Sequence, residues 1–507
     1  MNAIKLIFVF LFIVLSSQTS AQNLSKERIY VLAKDKFPKA IESYNSFLEL
    51  PNDGHYPDQI ENNLNYCQNI FSDLKFDITR IETSGAPLLF AEKIISKKAK
   101  TVLFYMQIDG QPVDTSAWDQ PNPFKPVLKE KQNNSWKIMD MNLLKTKYNP
   151  EWRIFARSAS DSKGPAMSLI AALQILQEKH IKQAYNIKVI MDFQEEMGSP
   201  TLPKAVLDNQ ELLSADMLFI MDGTRHISNL PTLTYGARGI ATATLKIFGP
   251  NEPLHSGQYG NFAPNPVFST AKLLGGLKDD QGKVTLPGFY DGINLNLEDK
   301  EALKRIPENT DSLLMRIGIS KPDAIGESYE ESLQFPSLNI RGLKSGWVGN
   351  EVRTIIPSEV ITEIDMRLVP ESDGKKLMES LKSYIQDNGF HLVDSIPTTE
   401  ERNTYPKLAS FTYKLGSLPF RTEMNSEIGD LLNKSMEKVF GDAVVNMRTT
   451  GGSQPMSPFI TTLNIPAVSI RIPNPDNNIH SPNENLRIGN FLEGIITCLA
   501  ILNEPIK

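Results

Sequence analysis

An α/β architecture is predicted: a mixed, mostly parallel central sheet flanked by helices, with a smaller α/β unit carrying an antiparallel sheet inserted into it. Three observations predict it. Apolar runs without strict alternation recur at 100–107, 187–193, 215–222 and 465–472, the pattern of strands covered on both faces. Between about 232 and 396 the texture changes, because 236–248 and 358–369 alternate apolar and polar residues as half-exposed antiparallel strands do. At 507 residues the chain also exceeds one ordinary core. The expected division is a leader at 1–21, a larger unit at 22–231 and 397–507, and the inserted unit at 232–396.

A net charge of −6 with no block of Lys and Arg argues against nucleic acid or an anionic membrane as partner. Lys5 precedes the apolar stretch 6–15, and a small polar stretch ends at Ala21. That is the form of a cleaved signal peptide, too short to span a bilayer, so the mature chain is expected to be exported, periplasmic or secreted, with no membrane span left. No cysteine follows the stretch, which argues against a lipid anchor. Only Cys67 and Cys498 occur. A disulfide between them and a pair of buried free thiols are both open, and their apolar, helix-like surroundings favour the thiols.

Taken in order, 23–73 reads as mostly helical, broken by the turn-forming Leu50-Pro-Asn-Asp-Gly54. Strands are expected at 77–81 and 87–92, then the buried run that exits at Gln107-Ile-Asp109. Arg157-Ser-Ala-Ser-Asp161 leads into a helix opened by Pro165, with Leu169, Leu173 and Leu176 as its apolar stripe. The run at 187–193 stops on Glu195, Glu196 and Gly198, and the run at 215–222 stops on Asp222. The last run leads to Asn478-Ile-His480-Ser-Pro-Asn-Glu484. Helices at about 265–277, 374–388 and 425–440 complete the reading.

In open α/β sheets ligands sit just beyond the carboxyl ends of the strands. Neighbouring carboxylates repel, and a cation is the usual device that keeps both ionised. Glu195 and Glu196 alone could be a solvated strand exit, and Asp161 alone a helix-start acid favouring the dipole. Gathered with Gln107, Asp109, Asp222 and His480 on one sheet edge, they form a set of oxygen and imidazole ligands.

These residues, in this order, resemble the M20 family of metallopeptidases, most closely its dipeptidases and carnosinase-like enzymes. The motifs are Gln107-Ile-Asp109-Gly-Gln-Pro-Val-Asp114 with Trp118-Asp119, Ala156-Arg-Ser-Ala-Ser-Asp161-Ser-Lys-Gly-Pro165, and Glu195-Glu196. Asp222-Gly223, His255-Ser-Gly-Gln-Tyr-Gly260, Asp365-Met-Arg367, Gly451-Gly452-Ser453 and His480-Ser-Pro-Asn-Glu484 follow. The resemblance implies a two-metal site, for zinc with manganese or cobalt as alternatives, and with Gln107 in it one or two ions per subunit are expected. Asp161 would bridge, Glu196 and His480 would complete one ion, and Asp222 with residue 107 the other. Glu195 would be the general base, with Asp109 the catalytic-site acid orienting residue 107. His255, Arg367, Ser453 and Gly452 would meet the substrate, a small peptide or N-acyl amino acid, and the inserted unit would be a lid through which two copies pair.

The chain departs from the family at position 107, where Gln stands for the expected histidine ligand. An amide oxygen binds zinc poorly, so the second ion is either lost, weakly held or of another kind. His226, close after Asp222, reads as a plain surface histidine rather than a substitute ligand. Two functions follow: an exported metal-dependent hydrolase cutting an amide bond beside a free carboxylate, or an impaired relative that only binds peptide or amino-acid ligands.

Overall fold

The structure, a computed structural model, describes residues 23–133, 135–454 and 456–506, so the leader expected at 1–21 lies outside the described residues. Two helices open the chain, α1 (Lys26–Leu48) and α2 (Pro57–Asp73), followed by β1 (Asp77–Ile81), β2 (Leu88–Lys93) and β3 (Thr101–Gln107). The short strand β4 (Arg153–Phe155) leads to α3 (Lys163–Glu178), then β5 (Asn186–Asp192), β6 (Met217–Ile220) and β7 (Thr232–Thr234). The inserted unit holds β8 (Gly239–Phe248), α4 (Pro266–Gly275), β9 (Ser337–Lys344), β10 (Glu359–Leu368), α5 (Gly374–Asp387), β11 (His391–Leu392) and β12 (Leu408–Leu415). The chain returns through α6 (Glu427–Phe440), β13 (Val445–Met447), β14 (Ala467–Arg471), β15 (Asn485–Arg487) and α7 (Ile488–Asn503).

The large sheet has the order β1-β2-β5-β3-β6-β14-β7-β13, and its central strands β5, β3, β6 and β14 are mutually parallel. Their lack of alternation has the predicted cause. Along β3, Val102, Phe104 and Met106 enter one apolar cluster with residues of α1, α3, α6 and α7. Leu103 and Tyr105 enter another on the opposite face, with Leu202, Val206 and Phe459 from short helices. Among the described residues, no helix is long and apolar enough to cross a membrane. Cys67 and Cys498 are both buried and free.

The inserted sheet has the order β9-β10-β8-β12-β11, antiparallel except for the β11–β12 pair. Burial alternates residue by residue along β8. Its inward residues Ala241, Ala243, Leu245 and Ile247 pack with Leu273 of α4 and Leu377, Leu381 and Ile385 of α5. The boundaries differ from those expected. Residues 232–234 belong to the large sheet as β7, and β12 at 408–415 pairs with β8. The inserted unit therefore runs from Gly239 to Leu415 rather than from 232 to 396. The two crossings between units are themselves paired, Gly236 with Arg421 and Ala237 with Phe420.

The sequence reading had no assignment for 297–332, which forms three short helices of the inserted unit. This segment docks on the large unit, with Leu303 and Ile306 against Val445 of β13 and Arg448 donating to Asp299 at 2.9 Å. Glu330 lies in it, 2 % exposed, with one carboxyl oxygen unpartnered beside a cavity of about 440 Å³ between the units. Burial, with Glu308 nearby, pushes its carboxyl up to about 7. The folded chain therefore keeps a proton there that the unfolded chain releases in the ordinary Glu range. Stability from this group is full below that range and falls as pH rises to about 7. The loss amounts to about 3 kcal/mol across the window. Glu330→Gln is expected to flatten that part of the stability profile, as read by denaturant unfolding at pH 5 and pH 8.

Candidate active site

The carboxyl ends of the central strands converge as the sequence predicts. Gln107 at the end of β3 pairs in register with Asp192 at the end of β5. Beyond β5 the chain makes a single tight turn, 195–197, closed by Gly198 at φ 80°, a left-handed conformation that glycine adopts without strain. That turn presents Glu195 and Glu196. Asp109 holds it: one carboxylate oxygen accepts from the Glu195 N–H at 2.9 Å and the other from the Glu196 N–H at 3.1 Å. Asp109 is thus a positioning residue for the two glutamates, a task that stands where the family's one, orienting a histidine at 107, is lost with Gln107.

Asp161 and His480 come from loops far apart in sequence. They meet because β4 pairs antiparallel with β15 in a four-stranded sheet, completed by Val127–Gln132 and Ser135–Ile138, that no periodicity announced. Glu484, fully buried just before β15, locks the two loops together. It accepts from Arg157 Nη1 at 2.9 Å, from the backbone N–H groups of Ser158, Ser160 and Asp161 at 2.8–2.9 Å, and from Ser160 Oγ at 2.8 Å. Sequence reasoning saw Glu484 only as the end of a motif.

The result is one tight cluster. His480 Nε2 lies 3.0 Å from Asp161 Oδ2 and 3.3 Å from Glu196 Oε2, and one ligand atom from each residue falls within 4.8 Å of the others. Glu196 is further gripped by Gln111 Nε2 at 2.7 Å, a residue the sequence reading passed over, while its Oε1 is buried without a partner. Burial, then Asp161 and Asp109, pushes the Glu196 carboxyl up to about 10. Burial also raises Glu195 well above its usual range, helped by Asp222, Asp161 and Glu196. Such carboxylates ionise near neutral pH only beside a positive charge. An orphaned carboxylate oxygen, a second carboxylate and an imidazole fit a divalent cation, and the set suits zinc, manganese or cobalt. Glu195 itself receives no hydrogen bond on its carboxylate among the described residues, which leaves it free to exchange a proton.

Asp222 stands outside that cluster. Asp222 accepts from Ser162 Oγ at 3.0 Å and from Gln454 Nε2 at 3.1 Å. Burial and Asp161 raise its carboxyl, and Arg471 opposes them. Gln107 is 1 % exposed and its Nε2 has no acceptor. His226 is buried rather than on the surface; its Nδ1 lies 2.9 Å from Ser228 Oγ and accepts from the Ser228 N–H, so it is committed to its own turn.

Of the residues expected to meet substrate, two are brought together across the units. Arg367 Nη1 on β10 donates to Ser453 Oγ at 3.0 Å. A second guanidinium, Arg238, is part-buried beside them, donating to the carbonyls of Gly451 and Phe335; the sequence reading missed it. At Gly452 an added Cβ would meet nothing within 4 Å, so the open space beside Ser453 is free for a ligand. His255 is exposed in the inserted unit, its Nδ1 accepting from the Gly257 N–H at 3.1 Å, with no hydrogen bond or ion pair to the cluster.

A carboxylate–imidazole cluster at the carboxyl ends of parallel strands, in a unit that carries an inserted antiparallel one, is the arrangement of a hydrolase of the metallopeptidase class. The sequence signature of Peptidase family M20/M25/M40 matches residues 103–504, and the chain belongs to that family. It is 25% identical over 429 residues to the Cys-Gly metallodipeptidase dug1 of Schizosaccharomyces pombe, spanning 81% of this chain and 80% of the yeast protein. It is 25% identical over 416 residues to the Beta-Ala-His dipeptidase of Homo sapiens, spanning 80% and 75% respectively. Among solved structures, the M20 family metallo-carboxypeptidase Sso-CP2 from Sulfolobus solfataricus superposes with a TM-score of 0.74 at 27% identity, covering 93% of this chain and 99% of that one.

Proposed function

We propose that the protein is an exported, metal-dependent dipeptidase that cuts the amide bond next to a free carboxylate. The observation that carries the reading is the Asp161–Glu196–His480 cluster with an unpartnered Glu195 beside it. A divalent ion on that cluster would supply Lewis acidity to the scissile carbonyl. Glu195 takes a proton from the attacking water and returns it to the leaving amine nitrogen. Asp109 keeps Glu195 in place through its backbone N–H. Arg367 and Ser453, with Arg238 behind them, receive the substrate's terminal carboxylate, for which a guanidinium fork is the fitting partner. The dipeptidase relatives support the substrate class. The apolar stretch at 6–15 followed by small residues supports export to the periplasm or the cell exterior. His255, which makes no hydrogen bond or ion pair to the cluster of its own chain, is assigned to the site of a second copy paired through the inserted unit.

The test is turnover of a dipeptide panel by purified protein supplied with Zn²⁺, Mn²⁺ or Co²⁺, with amine release as readout. Turnover that chelator abolishes and metal restores is expected; absence of turnover with every ion sinks the reading. Arg367→Lys keeps the charge but loses the fork, and is expected to raise KM by about tenfold or more, the size of a charged hydrogen bond, with a smaller change in kcat. An unchanged KM would remove Arg367 from the substrate site.

A further inference from the structure

Rather than the two ions that the family resemblance implies, we propose that this chain binds one, because Gln454 and Ser162 occupy the oxygens of Asp222 that a second ion would need and the charge of Arg471 beside them opposes it. The inference rests on the proposed function for its first ion, on Asp161, Glu196 and His480; the rest of it comes from the surroundings of Asp222.

Donors stand on both oxygens of Asp222. Ser162 Oγ lies 3.0 Å from Oδ1 and Gln454 Nε2 lies 3.1 Å from Oδ2. The Gln454 amide turns its NH₂ to the Asp222 carboxylate, and its Oε1 accepts from Ser469 Oγ at 3.3 Å. An amide NH₂ is a donor only and cannot coordinate a cation. Ser162 Oγ is also 3.1 Å from Asp161 Oδ1, so the hydroxyl fills the gap between the two carboxylates that a second ion would have to share. The third expected ligand is missing as well. At position 107 an amide replaces an imidazole, and its buried Nε2 is another donor without an acceptor.

Arg471 brings a fixed positive charge to the backbone beside Asp222, without an ion pair to its carboxylate. It comes from the end of β14, is buried beside the cavity between the units, and its Nε donates to Thr234 Oγ1 at 3.3 Å. Its Nη1 lies against the backbone directly after Asp222, where a Cβ added at Gly223 would fall 1.3 Å from it. Glycine at φ 88° is what lets the guanidinium approach so closely. A guanidinium is not deprotonated in proteins, so from beside Asp222 its charge opposes the rise in that carboxyl and repels a dication brought to the same carboxylate. Gln107, Ser162, Gln454 and Arg471 come from four separate segments, and all of them disfavour the same ion.

The experiment is metal per chain by elemental analysis after equilibration with excess Mn²⁺ and removal of free ion, with the Mn²⁺ electron paramagnetic resonance spectrum recorded alongside. One ion per chain and an uncoupled spectrum are expected for the wild type. Two ions with an exchange-coupled spectrum would overturn the inference and leave the proposed function standing. No bound ion would overturn both. Gln107→His alone is expected to stay at one ion, because Arg471 and Gln454 remain; a rise to two would show that the missing ligand was the whole cause. Gln107→His combined with Gln454→Leu and Arg471→Leu is expected to reach two, and a folded triple variant that still held one would remove Arg471 from the argument. The wild-type count decides the central claim even if the triple variant does not fold.

Discussion

Glu195→Gln is expected to lower kcat by about 10²–10⁴-fold, the range a positioned general acid–base group contributes, while the metal content stays at the wild-type value. The separation follows from the geometry. Glu195 lies outside the cluster formed by Asp161, Glu196 and His480, and the turn that carries it is held through backbone N–H groups donating to Asp109, which the substitution leaves intact. Glutamine keeps the shape and loses the ability to accept a proton. The measurement is steady-state turnover of a dipeptide substrate paired with metal analysis of the same sample. Retained turnover would take the base role from Glu195. Lost turnover together with lost metal would instead make it a ligand.

Glu484→Ala carries the largest expected effect on stability, about 3–5 kcal/mol, the cost of removing one partner from a buried ion pair. The carboxylate accepts from the side chain of Arg157, from three backbone N–H groups and from Ser160 Oγ, and Arg157 is itself 4 % exposed at its side chain. Without Glu484 a buried guanidinium and three backbone donors lose their acceptor, and the Asp161 loop parts from the His480 loop. Metal binding is therefore expected to fall with stability. His480→Ala is the contrast: its side chain is 55 % exposed, so the metal is expected to be lost with about 1 kcal/mol or less of stability, in the manner of surface substitutions. Denaturant unfolding and metal analysis on both variants check the pair. Wild-type stability in Glu484→Ala would mean that the loops are held by something other than this carboxylate.

What could be read from the amino-acid order is what local pattern controls. Unalternating apolar runs identified β3, β5, β6 and β14 because those strands are covered on both faces, and alternation identified β8 and β10 because only one face is buried. Strand ends also brought Gln107, Glu195, Glu196 and Asp222 to one edge, since in a parallel sheet the carboxyl ends lie together. Patterns failed where a strand was too short to have a period, as with Arg153–Phe155 and Asn485–Arg487, and at the unit boundary, where the pairing partner of β12 decided its membership. The surroundings of Asp222 were out of reach for a further reason. Ser162, Gln454 and Arg471 are ordinary polar residues in their own segments, and nothing in their neighbours marks them. Only folding places them on one carboxylate, because electrostatic and hydrogen-bond interactions act through space at a few ångströms, regardless of the hundreds of residues between the groups along the chain.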